Sequence, residues 1–451
     1  MKKILLVYSP FCTPASPPYS VTAIHAFLKR NLDEDHDIKI SDLNARFHNT
    51  RFAGYKEYCQ RLADRYDREE YDAKTKQFIK ETAKKYSENN KKVTEGKEPE
   101  LIEELSEEIT SKKPDIAAFS IVYSSQAFYT YAIIKKLKEK GIKTVIGGPA
   151  VNSILKKEAD AALRNEAELL NYIRKTENTD YNSFPDFSTY NKKDYFTPST
   201  VTPLKTSSTC YYRRCTFCTH YSKETYIEYG LEKIKETIKK SGSRNFFLID
   251  DMIHRKRLLE IAKIMKEANA NWTCQLRPTK ELDYETLKEL RKSGLKMIMW
   301  GIESGNDRIL KLINKGTNTK DIKKVIYDSH KAGIKNIAYI IFGFPTEKKE
   351  EFLDTIRFLE ENKDNIDLVS TSIFGLQKGT RIYENPSEFG ITKITEEKRT
   401  ILEPTISYEV KEGLSNEEAR KLRQKYKKTI EKINKYPKTM NYFREHMLLL
   451  C

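Results

Sequence analysis

The chain opens on an unbroken apolar run, Ile4-Leu-Leu-Val-Tyr8, with no alternation of polar positions. Such a run fits a strand buried on both faces, as in a parallel sheet. A proline-rich loop follows from Ser9 to Tyr19. Val21 to Arg30 then places Ile24, Phe27 and Leu28 on one face, which predicts a helix. Asp37-Ile-Lys-Ile-Ser-Asp-Leu predicts a second strand and Asp115-Ile-Ala-Ala-Phe-Ser-Ile-Val-Tyr a third. Ala127 to Lys140 predicts a helix that stops at Gly141, and Lys143-Thr-Val-Ile-Gly-Gly-Pro a fourth strand ending in a glycine turn. Strands alternating with helices imply a doubly wound parallel sheet over 1–155. A polar stretch rich in Lys, Glu and Tyr, about 50–112, interrupts the alternation. It reads as a helical insertion, either over the carboxyl edge of the sheet, where ligands bind, or as a solvated decoration.

The pattern fades over 156–200, which reads as a linker. From Pro203 a second alternation begins. Strands are expected at 203–209, 244–249, 271–277, 295–301, 335–343 and 366–373. Helices are expected at 224–241, 254–269, 283–292, 319–332 and 347–361, with a short one near 306–313. Six such units predict a partial (β/α)6 barrel over 201–394, whose active site belongs at the carboxyl ends of its strands. Residues 395–451 read as a C-terminal helical extension. It contains a strand-like Ile406-Ser-Tyr-Glu-Val and a long helix, Ser415 to Asn434, begun by a Ser-x-x-Glu capping box. The apolar Phe443 to Cys451 is expected to dock on the barrel.

Composition narrows the setting. A chain of 451 residues allows two or three domains. No apolar stretch is long enough to span a membrane, and the apolar part of the start is too short for a signal peptide. Seven cysteines, without a regular framework, point to a reducing cytoplasm. The net charge is +16, but 65 acidic residues are interspersed among 81 basic ones. That reads as a lysine-rich surface suited to an acidic partner rather than a nucleic-acid footprint.

The chemistry concentrates at Cys210, Cys215 and Cys218, a C-x4-C-x2-C run just after the first strand of the second alternation. A structural zinc site needs a fourth ligand, which His220 would supply. A 4Fe–4S cluster held by three cysteines leaves one iron open to a cofactor or substrate. The cysteines alone leave both open.

The surrounding residues resemble the radical S-adenosylmethionine superfamily, in the subgroup with an N-terminal cobalamin-binding-like domain. The usual cluster spacing is C-x3-C-x2-C, and the longer first gap recurs among cobalamin-fused members. Ile249-Asp-Asp-Met, Trp272-Thr-Cys-Gln-Leu-Arg-Pro, Gly301-Ile-Glu-Ser-Gly-Asn-Asp-Arg-Ile-Leu and Ile341-Phe-Gly-Phe-Pro-Thr-Glu carry the likeness over most of the barrel. The resemblance implies a 4Fe–4S cluster on the three cysteines and S-adenosylmethionine as cofactor. Phe217 matches the aromatic before the third cysteine. Asp250 and Asp251 fall where the family binds the methionine amino group, although either also suits a helix N-cap. Glu303 would face the ribose or methionine end, and Arg277 would pair with a carboxylate. Gly343 and Phe344 would let the adenine approach.

In the N-terminal half, Ser120, Gly147 and Gly148 would line a cobalamin nucleotide tail. The family's D-x-H-x-x-G is missing, so no histidine follows the first strand. The lone Cys12 there reads as packing. The usual G-E-G-E reads Arg164-Asn-Glu-Ala-Glu. By resemblance the reaction is methyl transfer to an unactivated carbon of a peptide, protein or small-molecule substrate, with an electron donor such as ferredoxin or flavodoxin. A cobalamin-independent rearrangement or oxidation is the alternative. Methylthiolation is discounted because only Cys12 and Cys59 stand near the N-terminus. A zinc-stabilised nucleic-acid-binding protein would leave the six β/α units unexplained.

Overall fold

A computed structural model describes residues 1–175, 178–219 and 225–450. His220, proposed above as a zinc ligand, lies outside the described residues. The chain forms two compact units. The first comprises Met1–Pro203, Glu232–Ser243 and Lys398–Pro404; the second comprises Leu204–Leu231, Arg244–Glu397 and Thr405–Cys451.

The first unit holds a five-stranded sheet of β1 (Lys2–Tyr8), β2 (His36–Asp42), β3 (Ile116–Ser120), β4 (Lys143–Gly147) and β5 (Ala161–Leu163), in the order β2-β1-β3-β4-β5. Every pair is parallel. This is a doubly wound order with its switch point between β1 and β3. The core packs Ile4, Leu6, Ile116 and Val145 against Val21, Phe27 and Leu28 of the helix Tyr19–Asn31. The expected linker begins inside this unit. It supplies β5 and the helix Glu166–Ile173, whose Leu169, Leu170 and Ile173 enter the same core. The stretch that departs from the family's G-E-G-E is the start of that helix: the Asn165 side chain accepts from the Glu168 N–H at 2.9 Å. A three-residue strand is too short to show a period, which hid the element from the sequence.

The insertion forms the helices Ala53–Gln60, Arg68–Thr94 and Ile102–Thr110. It is not a solvated decoration. Phe78 stacks on Tyr55 at 4.2 Å, and Tyr86 meets Phe11 edge-on at 5.5 Å. Phe11, in the loop after β1, also meets Phe47, His48 and Tyr129. The insertion thus closes an aromatic cluster over that loop. Aromatic pairs in this geometry add about 0.5–1.5 kcal/mol each beyond area burial.

The second alternation gives β6 (Val201–Leu204), β7 (Asn245–Leu248), β8 (Asn271–Leu276), β9 (Leu295–Glu303), β10 (Lys335–Phe342) and β11 (Leu368–Ile373). They lie side by side in chain order, β6 and β11 at the two edges, which is a partial barrel left open. Strand β6 ends sooner than expected, and 205–209 are loop. Helices follow at Leu231–Ser241, Arg255–Glu267, Tyr284–Lys292, Asp307–Ile313, Thr319–Lys331 and Lys349–Glu361.

The tail differs from a purely helical one. It forms an antiparallel hairpin, β12 (Ile391–Glu397) with β13 (Thr405–Val410). The expected long helix divides at Tyr426 into Asn416–Lys425 and Lys427–Ile433. The capping box is present: the Glu418 N–H donates to Ser415 Oγ at 3.3 Å, and the Ser415 N–H donates to Glu418 at 2.9 Å. The last helix, Arg444–Leu450, packs on β7 and β8 as expected and buries Met447 and Leu448.

Candidate active site

The cysteine loop leaves β6 at the carboxyl end of the sheet, where parallel barrels place their chemistry. Its start is tied to β7. The buried Asp250 carboxylate accepts from the Thr206 N–H at 2.9 Å, the Thr206 hydroxyl at 3.1 Å and the Ser207 hydroxyl at 2.7 Å. Burial raises the Asp250 pKa, and the Ser207 and Thr206 hydrogen bonds oppose the rise. Asp250 is therefore committed to the loop and not free for a methionine amino group. It is no N-cap either, because His254 caps the helix Arg255–Glu267. Asp251, half-buried beside it, stays accessible from solvent.

The loop's far side is bolted to the segment after β9. The Thr216 N–H donates to the Ile313 carbonyl at 2.9 Å and its hydroxyl to the Leu312 carbonyl at 3.0 Å. The Tyr212 hydroxyl donates to the Asn314 carbonyl at 2.7 Å, and the Asn314 side chain donates to the Arg214 carbonyl at 3.0 Å. Cys210 and Cys215 lie between these anchors and Cys218 two residues beyond the last; all three are half-buried, and none is in a disulfide. Among the described residues, no three Cys, His, Asp or Glu side chains are gathered closely enough to hold a metal ion. The loop brings the three thiols together in sequence and on one rim, while a bound group would have to draw them to one point. The donor chemistry fits an iron–sulfur cluster, which takes thiolates. Burial raises the Cys215 pKa, and the Lys315 ammonium is the largest influence against it.

Glu303 ends β9 with φ +67 and is 8% exposed. Its Oε1 accepts from Lys315 Nζ at 2.7 Å. Lys315, 4% exposed, was not singled out from the sequence. In Asn314-Lys-Gly-Thr it reads as an ordinary turn lysine, and no local pattern marks it as buried. Burial is the largest influence and lowers its pKa, but the Glu303 charge, the Cys215 charge and the Glu303 hydrogen bond together outweigh it and the net shift is upward. Among the described residues, Arg277 forms no ion pair with that carboxylate. Its guanidinium lies 3.6 Å over the Tyr212 ring, donates to the Lys315 carbonyl at 2.9 Å, and leaves Nε buried without a partner.

Three of the remaining site residues serve packing. Gly343 has φ +73, and a Cβ there would meet Ala419 Cβ at 2.7 Å, so the glycine makes room for the helix Asn416–Lys425. Phe344 is fully buried, edge-on to Phe374 at 5.0 Å. Phe217 packs against the same apolar cluster. Glu347, to which no role was given, fixes this turn. Its Oε2 accepts from the Gly343 N–H at 2.5 Å, its Oε1 is buried without a partner, and burial pushes its pKa up to about 8.

In the first unit the expected cobalamin residues are likewise engaged. The Ser120 hydroxyl donates to Ser20 Oγ at 2.8 Å. A Cβ on Gly147 would lie 3.2 Å from the Leu163 carbonyl, and one on Gly148, at φ +116, only 2.3 Å from the Ile121 carbonyl. The glycine turn is filled by backbone rather than left open as a cradle.

The model of the Radical SAM superfamily matches residues 204–359. An uncharacterized methyltransferase of Pyrococcus horikoshii is 28% identical over 162 residues, 35% of this chain and 32% of that protein. The chain thus spans about a third of this relative's length. A structure of OxsB, a cobalamin-dependent S-adenosylmethionine radical enzyme with aqua-cobalamin and S-adenosylmethionine bound, has a TM-score of 0.61 at 14% identity, covering 95% of this chain and 67% of that one. The radical S-adenosylmethionine methyltransferase TsrM from Kitasatospora setae, with cobalamin and a [4Fe-4S] cluster bound, has a TM-score of 0.58 at 13% identity, covering 90% and 83%. At these identities the two structures establish a shared fold. The stretch that matches the Radical SAM superfamily model, residues 204–359, is the one that carries the cysteine loop and the Glu303 strand end.

Proposed function

We propose that this protein is a radical SAM methyltransferase that holds a 4Fe–4S cluster on Cys210, Cys215 and Cys218 and methylates an unactivated carbon of a peptide or protein substrate, with cobalamin in its N-terminal unit. The observation that carries the reading is the cysteine loop itself: three half-buried thiols, none in a disulfide, on one rim loop tied at Thr206 and Thr216, beside a buried carboxylate. Bound there, such a cluster supplies the electron that cleaves the sulfonium C–S bond of S-adenosylmethionine.

The chain's own part is binding and exclusion. Glu303 offers a buried acceptor to the cofactor's hydroxyl or ammonium groups, and Gly301 keeps the approach clear of a side chain. The half-buried Asp251 is the second acceptor on the rim. The apolar cluster of Ile309, Ile313, Phe374 and Ile382, against which Phe217 packs, keeps water from one side of the cysteine loop. The cobalamin reading is supported by the β2-β1-β3-β4-β5 order and by the fold shared with two cobalamin-binding proteins. It is not supported by Ser120, Gly147 or Gly148, each of which is committed within its unit. The electron donor is a low-potential ferredoxin or flavodoxin, for which the basic surface is suited.

The test is anaerobic reconstitution, with iron, sulfide, cobalamin and S-adenosylmethionine cleavage products measured on one preparation. Iron and sulfide with 5′-deoxyadenosine or S-adenosylhomocysteine formation are expected. Protein that takes up zinc in preference, or cleaves no S-adenosylmethionine, overturns the cluster reading. Protein that loads the cluster and retains no cobalamin overturns the methyltransferase reading in favour of rearrangement or oxidation.

A further inference from the structure

The buried pair of Glu303 and Lys315 is costly. Moving two charges out of water consumes most of what their attraction returns, so such a pair adds little net stability. Yet the surrounding sequence makes room for it. A Cβ on Gly301 would lie 2.8 Å from Glu303 Oε1 and 2.9 Å from Lys315 Nζ. A Cβ on Gly316, at φ +66, would lie 2.4 Å from the Tyr212 hydroxyl and 2.7 Å from Arg277 Nη1. Two glycine positions therefore accommodate Lys315, Arg277 and the tyrosine between the cysteines.

The segment that carries Lys315 is also the one bolted to the cysteine loop. Leu312, Ile313 and Asn314 each give a carbonyl to Thr216 or Tyr212, and Arg277 bridges from the Tyr212 ring to the Lys315 carbonyl. Two cations, Lys315 and Arg277, and one anion, Glu303, are thus fixed beside the loop, a net charge of one positive.

We propose that Lys315, seconded by Arg277, is the built-in counter-charge of the cysteine loop: a positioning residue that favours the reduced state of a cluster held by Cys210, Cys215 and Cys218. The inference rests on the cluster reading above. Three thiolates make such a cluster anionic, and an added electron makes it more so. A fixed cation in a water-poor site lowers the cost of that electron.

The experiment is a redox titration of the anaerobically reconstituted full chain, followed by electron paramagnetic resonance without added S-adenosylmethionine. Iron and sulfide are assayed on each sample. Lys315→Met, which keeps the length and removes the charge, is expected to move the midpoint to a more negative potential. Lys315→Arg, bulkier but still charged, is expected to stay nearer the wild type. A purely structural role predicts the reverse order, since the larger side chain disturbs packing more. Where Lys315→Met leaves Glu303 too costly to bury, Arg277→Met removes the other cation instead and is expected to move the midpoint in the same direction. A cluster-replete Lys315→Met or Arg277→Met variant with an unchanged midpoint overturns the proposal. A wild type that binds no iron overturns the cluster reading, and this inference with it.

Discussion

Two loops occupy equivalent positions in the two sheets and have opposite fates. Each leaves the carboxyl end of the first strand of a parallel sheet, and each carries cysteine. After β1, Phe11 is buried among Phe47, His48, Tyr86 and Tyr129. Its neighbour Cys12 is held by its N–H to Asn44 Oδ1 at 2.8 Å and by its thiol to the Tyr8 hydroxyl at 3.4 Å. Burial pushes the Cys12 thiol far above the ordinary range, so it is not a thiolate at neutral pH. After β6, anchoring falls instead on Thr206, Ser207, Tyr212 and Thr216, which lie between and before the cysteines. The three thiols are half-buried, as Cys12 is, so residue exposure alone does not separate the loops. What separates the two loops is where the ties fall, not the strand that precedes each.

The largest test of this contrast exchanges the cysteines. Cys215→Ala should abolish cluster binding, and Cys210→Ala and Cys218→Ala should do the same, read as iron and sulfide per chain after anaerobic reconstitution. Cys12→Ala should leave iron content at the wild-type level. Equal loss from Cys12→Ala and Cys215→Ala would erase the distinction between the loops.

The second test loosens one tie in each loop. Asp250→Asn weakens charged hydrogen bonds to Thr206 and Ser207, each worth about 1.5–3 kcal/mol. Stability should fall by about that amount, and the cluster should be lost faster on dilution into chelator. S-adenosylmethionine affinity of the fraction that stays loaded should be unchanged, because the carboxylate faces the loop. Asn44→Ala removes a neutral bond to Cys12, worth about 0.5–1.5 kcal/mol, with no effect on cluster lifetime. An affinity loss in loaded Asp250→Asn would return Asp250 to the cofactor site.

These ties also explain what the sequence could convey. The strands β1, β3 and β9 are continuous apolar runs, and each was legible because burial on both faces needs no partner to be recognised. The cysteine spacing was legible for the same local reason. The engagement of Asp250 by residues 43 and 44 positions earlier was not, nor was the burial of Lys315 against Glu303. Both depend on which loops the fold brings together. Ser120 and Gly148 carry the same lesson in reverse: their residue types suit a ligand cradle, and the structure gives their space to Ser20 and to the Ile121 backbone. The hairpin of β12 and β13 was half seen, because β12 is mostly exposed and shows no apolar alternation.

The smallest effect sharpens the same contrast from the sealed side, through pH. His48 sits inside the aromatic cluster, its Nδ1–H donating to the Asn44 carbonyl at 2.8 Å, and burial lowers its pKa to about 4 from 6.5. Between those values the unfolded chain carries the proton and the folded chain does not. Stability therefore falls as pH drops through this window, by at most about 1.4 kcal/mol per pH unit. Asp42, six residues earlier, acts in the opposite sense. Burial raises its pKa to about 6 from 3.8, so between those values the folded chain holds the proton and stability falls as pH rises. Asp42 lines a cavity of about 640 Å³, and the two opposing shifts are of similar size. Urea unfolding from pH 4.5 to 6 should then show only a small net slope of stability with pH in the wild type. His48→Phe, which keeps a ring in the cluster, should make that slope negative, and Asp42→Asn should make it positive. Identical slopes in all three proteins would mean that water reaches His48, and that the loop after β1 is not sealed.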